Sequence, residues 1–354
     1  MSSERDRLAE TWRQAAPTLR FPDPATAWVV VLAADFREPL ADVAERLAAV
    51  HGAAPVVGAR LGRNRWMPGR PDPPVVVDGD PLDAPGLLAR FDLVRRPPLR
   101  VVLNRDARRI ALAGHHAALD GRALLAVLVA LAGGPIPSTA DAPARPPATG
   151  STRLAALRRL ARPADPVAAS CEPPAGRDER LAARDVTLDG RHVTARLAAA
   201  AVAAAGEHNR RAGAPWLRVG VSIGVGGPEG VGNVATYRRV DVTPGQDVEA
   251  AVSGAIAGPA APDAPVPGSL PARLLAPVVR RFSDSLLVSN LGRATVPGAA
   301  RIEFYPVARG RSAVAVGAAG LPGGPSTVTL RSPRLTRDDA DAILDAIVAR
   351  LGSG

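Results

Sequence analysis

The sequence predicts an α/β protein of two halves, and three observations carry that prediction. Short valine-rich runs of strand length alternate with segments whose apolar residues recur at helical spacing, the pattern of strands and helices packed in layers. The alternation stops and then resumes, so it is present twice. The interruption, 134–174, holds prolines at 135, 137, 143, 146, 147, 163, 166, 173 and 174, the composition of an inter-domain connection. With 354 residues, at roughly 100 to 200 per domain, the expected division is a lobe over 1–133, a linker over 134–176 and a second lobe over 177–354.

A helix-like N-terminal stretch precedes the first strand, expected at 27–34 (AWVVVLAA). Leu40, Val43, Leu47 and Val50 then recur at helical spacing, and His51-Gly52 closes that helix. Strands are expected at 55–61, 75–77, 99–103 and 109–113, followed by a helix over 121–131 that Gly133-Gly134 ends. One short arginine-rich helix, 151–161, falls within the linker. The second half reads as a helix at 192–208, strands at 216–223 and 237–242, a helix at 247–257, and strands at 285–288, 301–307, 313–316 and 327–330. The last helix runs from about 337 to 351, with Thr336 as its N-cap and Ile343, Leu344, Ile347, Val348 and Leu351 as its buried stripe.

Composition narrows the function classes. With 47% hydrophobic and 22% charged residues and a mean hydropathy of +0.05, the chain has the balance of a folded globular protein. The longest apolar stretches, 123–132 and 197–206, stop short of the ~18 residues a spanning helix requires, so no membrane partner is expected. The charged N-terminus, followed by no apolar run, does not resemble a secretory signal. A single cysteine, Cys171, can form no internal disulfide, and the expected compartment is the cytoplasm. The net charge of +10 raises nucleic acid as a partner. However, the 44 basic residues are all arginine, scattered among Ala, Gly and Pro, and only eleven aromatics could stack on bases. Nucleic acid is therefore set aside, and the charge suits an acidic or phosphorylated partner. The absence of lysine removes Schiff-base chemistry.

The segment richest in chemistry is Arg109-Ile-Ala-Leu-Ala-Gly-His115-His116-Ala-Ala-Leu-Asp120-Gly121. An apolar strand ends at two histidines, and a helix begins at Asp120. Adjacent strand side chains point to opposite faces, so the pair is not expected to chelate a metal. One histidine can face a cavity while the other packs inward. A neutral imidazole beside a helix N-terminus, which disfavours its protonated form, is what a general base needs near neutral pH. From the residues alone, two satisfied turn histidines with a cap aspartate remain an equal reading.

The segment resembles the His-His-x-x-x-Asp-Gly motif of the chloramphenicol acetyltransferase-like superfamily, which includes nonribosomal peptide synthetase condensation domains, polyketide-associated acyltransferases and wax ester synthases. Three further segments extend the resemblance over nearly the whole chain. Phe91-Asp-Leu-Val-Arg-Arg-Pro-Pro-Leu-Arg-Val-Val-Leu is similar to the family's approach strand. Gly230-Val-Gly-Asn-Val-Ala-Thr-Tyr-Arg-Arg-Val is similar to its downstream turn and strand, and Val288-Ser-Asn-Leu-Gly-Arg293 to the strand end of the second lobe. The resemblance implies two acetyltransferase-like lobes in a V-shaped pseudo-dimer, with donor and acceptor entering a shared channel from opposite faces. It makes His116 the catalytic base, His115 its supporting neighbour, Asp120 a structural charge and Gly121 a close-packing turn residue, and it puts Ser289 and Asn290 on the channel. Many condensation domains carry an arginine after the strand equivalent to 219–223, paired with the motif aspartate. Here that place holds Gly226-Gly227, so Arg293, and after it Arg218, is the expected partner of Asp120. The usual asparagine-threonine pair is replaced by Ala235-Thr236, and the chain is shorter than a typical member.

The implied activity is acyl transfer from a thioester of coenzyme A or of an acyl or peptidyl carrier protein to a hydroxyl or amine, on a small molecule or on a carrier, in specialised metabolism. No cofactor and no metal are expected to be bound. The competing reading is a non-catalytic condensation-like module that recruits a partner enzyme or a carrier protein. Two local motifs are set aside. Gly220-Val-Ser222-Ile-Gly224 has the spacing of a nucleophile elbow, but no helix signal and no later histidine follow it. The glycine cluster at 224–230 misses the dinucleotide fingerprint.

Overall fold

The computed structural model describes residues 3–20, 27–140, 161, 163–171, 179–227, 229–243, 245–258, 284–308 and 313–352. The helix expected at 151–161 lies outside them apart from its last residue. The described elements form two sheets. The first has the strand order β11-β1-β6-β5-β4, from β1 (Val29–Phe36), β4 (Val75–Val77), β5 (Leu99–Asn104), β6 (Arg109–His115) and β11 (Ala299–Tyr305). The second has the order β7-β13-β12-β10-β8-β9, from β7 (Arg180–Val186), β8 (Val219–Val225), β9 (Thr236–Val242), β10 (Leu286–Arg293), β12 (Ala315–Gly320) and β13 (Ser326–Ser332). A two-stranded ribbon, β2 (Arg60–Leu61) with β3 (Trp66–Met67), stands apart. The helices are α1 (Glu4–Arg20), α2 (Val43–Ala53), α3 (Gly121–Leu131), α4 (Val193–Arg211), α5 (Val248–Ala257) and α6 (Arg337–Gly352). Among the described residues no helix is long and apolar enough to cross a membrane.

Two elements differ from expectation. The expected strand at 55–61 is a 3-10 turn, Pro55–Gly58, followed by the two-residue β2. Pro55 starts the turn, and Gly58 lies so close to the backbone of Arg70 and Pro71 that a Cβ there would sit 2.7 Å from Pro71 N. The unexpected strand longer than two residues is β7, an edge strand half-buried along most of its length, so it carries no two-residue alternation to announce it.

One strand crosses the division expected at 134–176. β11, from the C-terminal half, pairs antiparallel with β1 from Val31↔Tyr305 to Phe36↔Ala299 and closes one edge of the first sheet. It brings Ile302, Phe304 and Tyr305 into the first core, to which β1, β5, β6, α2 and α3 contribute most and α1 and β3 also add buried residues. The second core lies between the second sheet and α4, α5 and α6, around Leu197, Ala201, Val221, Val288, Leu344 and Ile347. Where the two sheets meet, a Cβ on Gly317 of β12 would lie 2.0 Å from the Phe304 carbonyl oxygen, so the backbones of β11 and β12 approach as only glycine allows. Arg331 of β13, itself buried, reaches back to the Val29 carbonyl of β1 and pairs with Glu179. The site sits at this junction.

Candidate active site

β6 delivers both histidines. Its last residues are held by His115 N–H to Pro98 O at 2.8 Å and His116 N–H to Trp28 O at 2.7 Å. The two side chains leave the strand end in opposite directions. His115 lies edge-on to Phe91, with ring centres 5.9 Å apart, and the Arg100 guanidinium covers Phe91 at 3.7 Å. Its Nδ1 accepts the Ala117 N–H at 3.1 Å. Burial first, then the nearby charges of His116, Arg100 and Arg90, push its pKa down to about 3. His115 is therefore a neutral, buried turn residue that holds the 115–119 backbone.

His116 faces the other way. Its ring stacks on Trp28, with centres 6.4 Å apart and planes 24° apart, and meets Tyr237 edge-on at 5.9 Å. Nδ1 lies 3.5 Å from the Leu119 carbonyl, which can only accept, so the proton is assigned to Nδ1. That leaves Nε2 as the basic nitrogen, and the Tyr237 hydroxyl donates to it. Tyr237 and Trp28 were not singled out in the sequence. The signal available was that Tyr237, one of two tyrosines in the chain, lies within the 230–240 segment and so within reach of the motif. Trp28 adopts φ of 57°, a left-handed backbone that a bulky residue rarely takes, just where its carbonyl receives the His116 N–H.

Asp120 caps α3. Oδ1 accepts the Ala123 N–H at 2.9 Å, while Oδ2 accepts those of Val234 at 3.0 Å and Ala235 at 2.9 Å. Its own N–H donates to Gly232 O at 3.0 Å. Burial raises its pKa above the usual carboxylate range, and the backbone N–H bonds oppose that shift. The expectation of an arginine partner is corrected. Arg293 pairs with Asp189 at 2.6 Å and donates to Leu188 O, and the Arg218 backbone is bound to Asp165. The charge of Asp120 is met by peptide dipoles because the 232–235 backbone runs directly over it. At Gly226, where the resemblance leads one to expect the arginine, a Cβ would lie 2.3 Å from Arg122 Nε. Arg122, from the motif's own helix, fills that space and donates to Gly227 O at 3.2 Å.

Gly121 is pressed against β11 and β10. A Cβ there would lie 2.6 Å from the Phe304 ring and 2.9 Å from Leu291. His116, Asp120, Gly121 and Arg122 line a narrow cleft together with Tyr237, Ser289 and Asn290. Its volume, about 30 Å³, holds about two waters. Ser289 faces Gly224 in register, whereas the Asn290 amide is committed to Thr194 Oγ1 at 3.2 Å and to the Gly292 N–H at 2.8 Å. Ser222, from the elbow-like spacing, is buried inside β8 with no strand-to-helix turn after it. Among the described residues no group of three His, Cys, Asp or Glu is placed to hold a metal ion.

No family model matches the sequence, and no curated protein does. Solved structures match over nearly the full length. The first condensation domain of the calcium-dependent antibiotic synthetase, in complex with a substrate analogue, is 16% identical with a TM-score of 0.58, covering 98% of this chain and 95% of that one. The starter condensation domain of rhizomide synthetase, in complex with C8-CoA, is 14% identical with a TM-score of 0.60, covering 98% and 93%. SgcC5 protein from Streptomyces globisporus is 15% identical with a TM-score of 0.55, covering 97% and 98%. The chain thus has the two-lobed chloramphenicol acetyltransferase-like fold of condensation domains.

Two expectations follow from the geometry. In Asp120→Asn an amide NH2 replaces one acceptor oxygen, and either rotamer turns it toward a backbone N–H. The melting transition should lose on the order of 3 kcal/mol, read by denaturant unfolding; unchanged stability would show that these bonds are dispensable. His115 titrates near 6.5 when unfolded and at about 3 here, so between those values the unfolded state binds more protons. Its contribution is fully present above about pH 6.5 and is lost as pH falls toward 3. The melting temperature should therefore fall more steeply on acidification in the wild type than in His115→Asn, whose oxygen accepts the Ala117 N–H without titrating.

Proposed function

We propose that the protein is an acyltransferase of the condensation type, moving an acyl group from a thioester of coenzyme A or of a carrier protein to a hydroxyl or amine, with His116 as the general base. The observation that carries this reading is the orientation of one imidazole: Nδ1 is directed at a carbonyl, and Nε2 is turned into a cleft at the junction of the two sheets. The lobes of this reading are 1–133 and 177–354, joined through 134–176, with β11 lent by the second lobe to the first. The setting is cytoplasmic, and the protein binds no cofactor beyond the thioester co-substrate.

In this mechanism Nε2 takes the proton of the acceptor as its oxygen or nitrogen attacks the thioester carbonyl. The tetrahedral intermediate then collapses, the C–S bond breaks, and the departing thiolate recovers the proton from Nε2. No acyl group is attached to the protein. His115 holds the turn, and Asp120 fixes the position of the helix and of the 232–235 backbone that carries the chain on to Tyr237. Gly121 lets α3 approach β11. The non-catalytic alternative predicts no dependence of thiol release on His116.

His116→Ala should lower thiol release from an acyl-pantetheine or acyl-coenzyme A donor by about 10²-fold or more, with little loss of stability. Retention of near-full turnover would remove the base assignment. A second expectation concerns the donor. With a net charge of +10 and no lysine, a face for an acidic carrier would be built of guanidinium groups, and charge-steered encounter slows with salt. Raising salt from about 0.05 to 0.5 M should slow transfer from a carrier-bound donor far more than from a small pantetheine thioester. Equal sensitivity would exclude carrier docking by charge.

A further inference from the structure

In the arrangement described, the atom assigned as the base does not face open solvent. The Tyr237 phenol donates to Nε2 of His116 along the direction from which an acceptor's O–H or N–H has to come. The cleft beyond it has a volume of about 30 Å³, enough for water and too little for an acyl acceptor. Tyr237 thus holds the place at Nε2 that an acceptor needs.

The surroundings of the ring suit it to move. Tyr237 lies on β9, which among the described residues is an edge strand of the second sheet and pairs there with β8 alone. Its partner in register is Gly224, which offers no side chain, and Gly224 is followed across the sheet by Ser289 and then Gly317. Its apolar contacts are with the small cluster of Leu287, Ala308, Ala313 and Ala315. Tyr237, 121 positions after His116, belongs to the second sheet, whereas His116 directly follows β6 of the first, so a shift between the sheets changes their bond.

We infer that Tyr237 is a gate on the base: its phenol occupies Nε2 until an acceptor displaces it, which keeps His116 from activating water against a bound thioester. This rests on His116 being the base. Water offers Nε2 one hydrogen bond and no apolar contact, so it gains little by replacing the phenol. An acceptor with an apolar body buries surface in the opened cleft as well. In the reaction the gate suppresses, water attacks the thioester carbonyl and His116 takes its proton. The C–S bond breaks, and the thiolate recovers that proton, giving a carboxylic acid and a free thiol.

The test uses the full chain, an acyl-pantetheine thioester and no acceptor. Tyr237→Phe, which keeps the ring and removes the hydroxyl, should raise His116-dependent hydrolysis roughly 3- to 10-fold, the equilibrium weight of one net hydrogen bond. With an acceptor present, the same variant should lower the acceptor KM by a similar factor. The double variant His116→Ala with Tyr237→Phe should return hydrolysis to the uncatalysed rate. Hydrolysis unchanged or reduced in Tyr237→Phe, or a lowered kcat with the acceptor KM unchanged, would overturn the gate. Nitrogen-15 NMR of the histidine ring supplies a readout independent of turnover: the Nε2 resonance of His116 should shift in Tyr237→Phe, and an unmoved resonance overturns the proposal. Transfer that persists in His116→Ala would overturn the base and the gate together, whereas His116-dependent transfer with no response to Tyr237→Phe would overturn the gate alone.

Discussion

The site depends on one buried carboxylate. Asp120 accepts backbone N–H groups from the first turn of α3 and from the 234–235 backbone of the other half of the chain. A carboxylate can take several donors at once, and here it joins segments 114 and 115 residues apart. The turn from His116 to Asp120 leaves the imidazole ahead of the helix, while Val234 and Ala235 lead directly into β9 and Tyr237. The same bonds therefore set the height of the base and the position of the phenol against it. An arginine partner would tie Asp120 to a long, rotatable side chain; peptide N–H groups are fixed by the backbone and give a more rigid reference.

A second constraint is the exchanged strand. β11 pairs with β1 in the first sheet while its backbone presses against Gly317 of the second, and Arg331 of the second sheet likewise reaches across to the Val29 carbonyl. Two parts of the C-terminal half, β11 and Arg331, are thus seated on β1, and Val29 lies one residue beyond Trp28, whose carbonyl holds the backbone of His116. A relative motion of the halves would strain these contacts before it separated the lobes.

What was legible in the sequence was what depends on local pattern. The valine run of β1, the limits of α3 at 121 and 131, and the Thr336 cap of α6, whose hydroxyl accepts the Asp339 N–H, all follow from periodicity and capping. The histidine pair was legible because a strand alternates its faces. The partner of Asp120 was not, because a backbone N–H belongs to every residue and has no signature. Arg293 was the plausible cation by residue type, but Asp189 lies nearer to it. Tyr237 was hidden by distance along the chain, and β7 by its place at a sheet edge, where half-burial erases the alternation of faces.

The alternation of β11 separates the cleft from the ion pairs of Glu303. Phe304 points to the cleft with His116 and Gly121, while Glu303 and Tyr305 point to the opposite face. On that face Glu303, itself buried, is gripped by Arg109 at 3.1 Å and by Arg301, and it accepts from the Tyr305 hydroxyl. Arg109 also binds Asp35 at 2.6 Å and Asp80 at 2.8 Å, and Arg301 binds Asp185 at 2.8 Å. These pairs line a groove of about 700 Å³ in which the neighbouring carboxylates raise the pKa values of both arginines despite their burial. Alternation along β11 thus keeps the ion pairs of Glu303 on the face of the first sheet away from the cleft, where Phe304 packs with Gly121. On the cleft side, the group that meets Nε2 of His116 is a phenol, an uncharged donor.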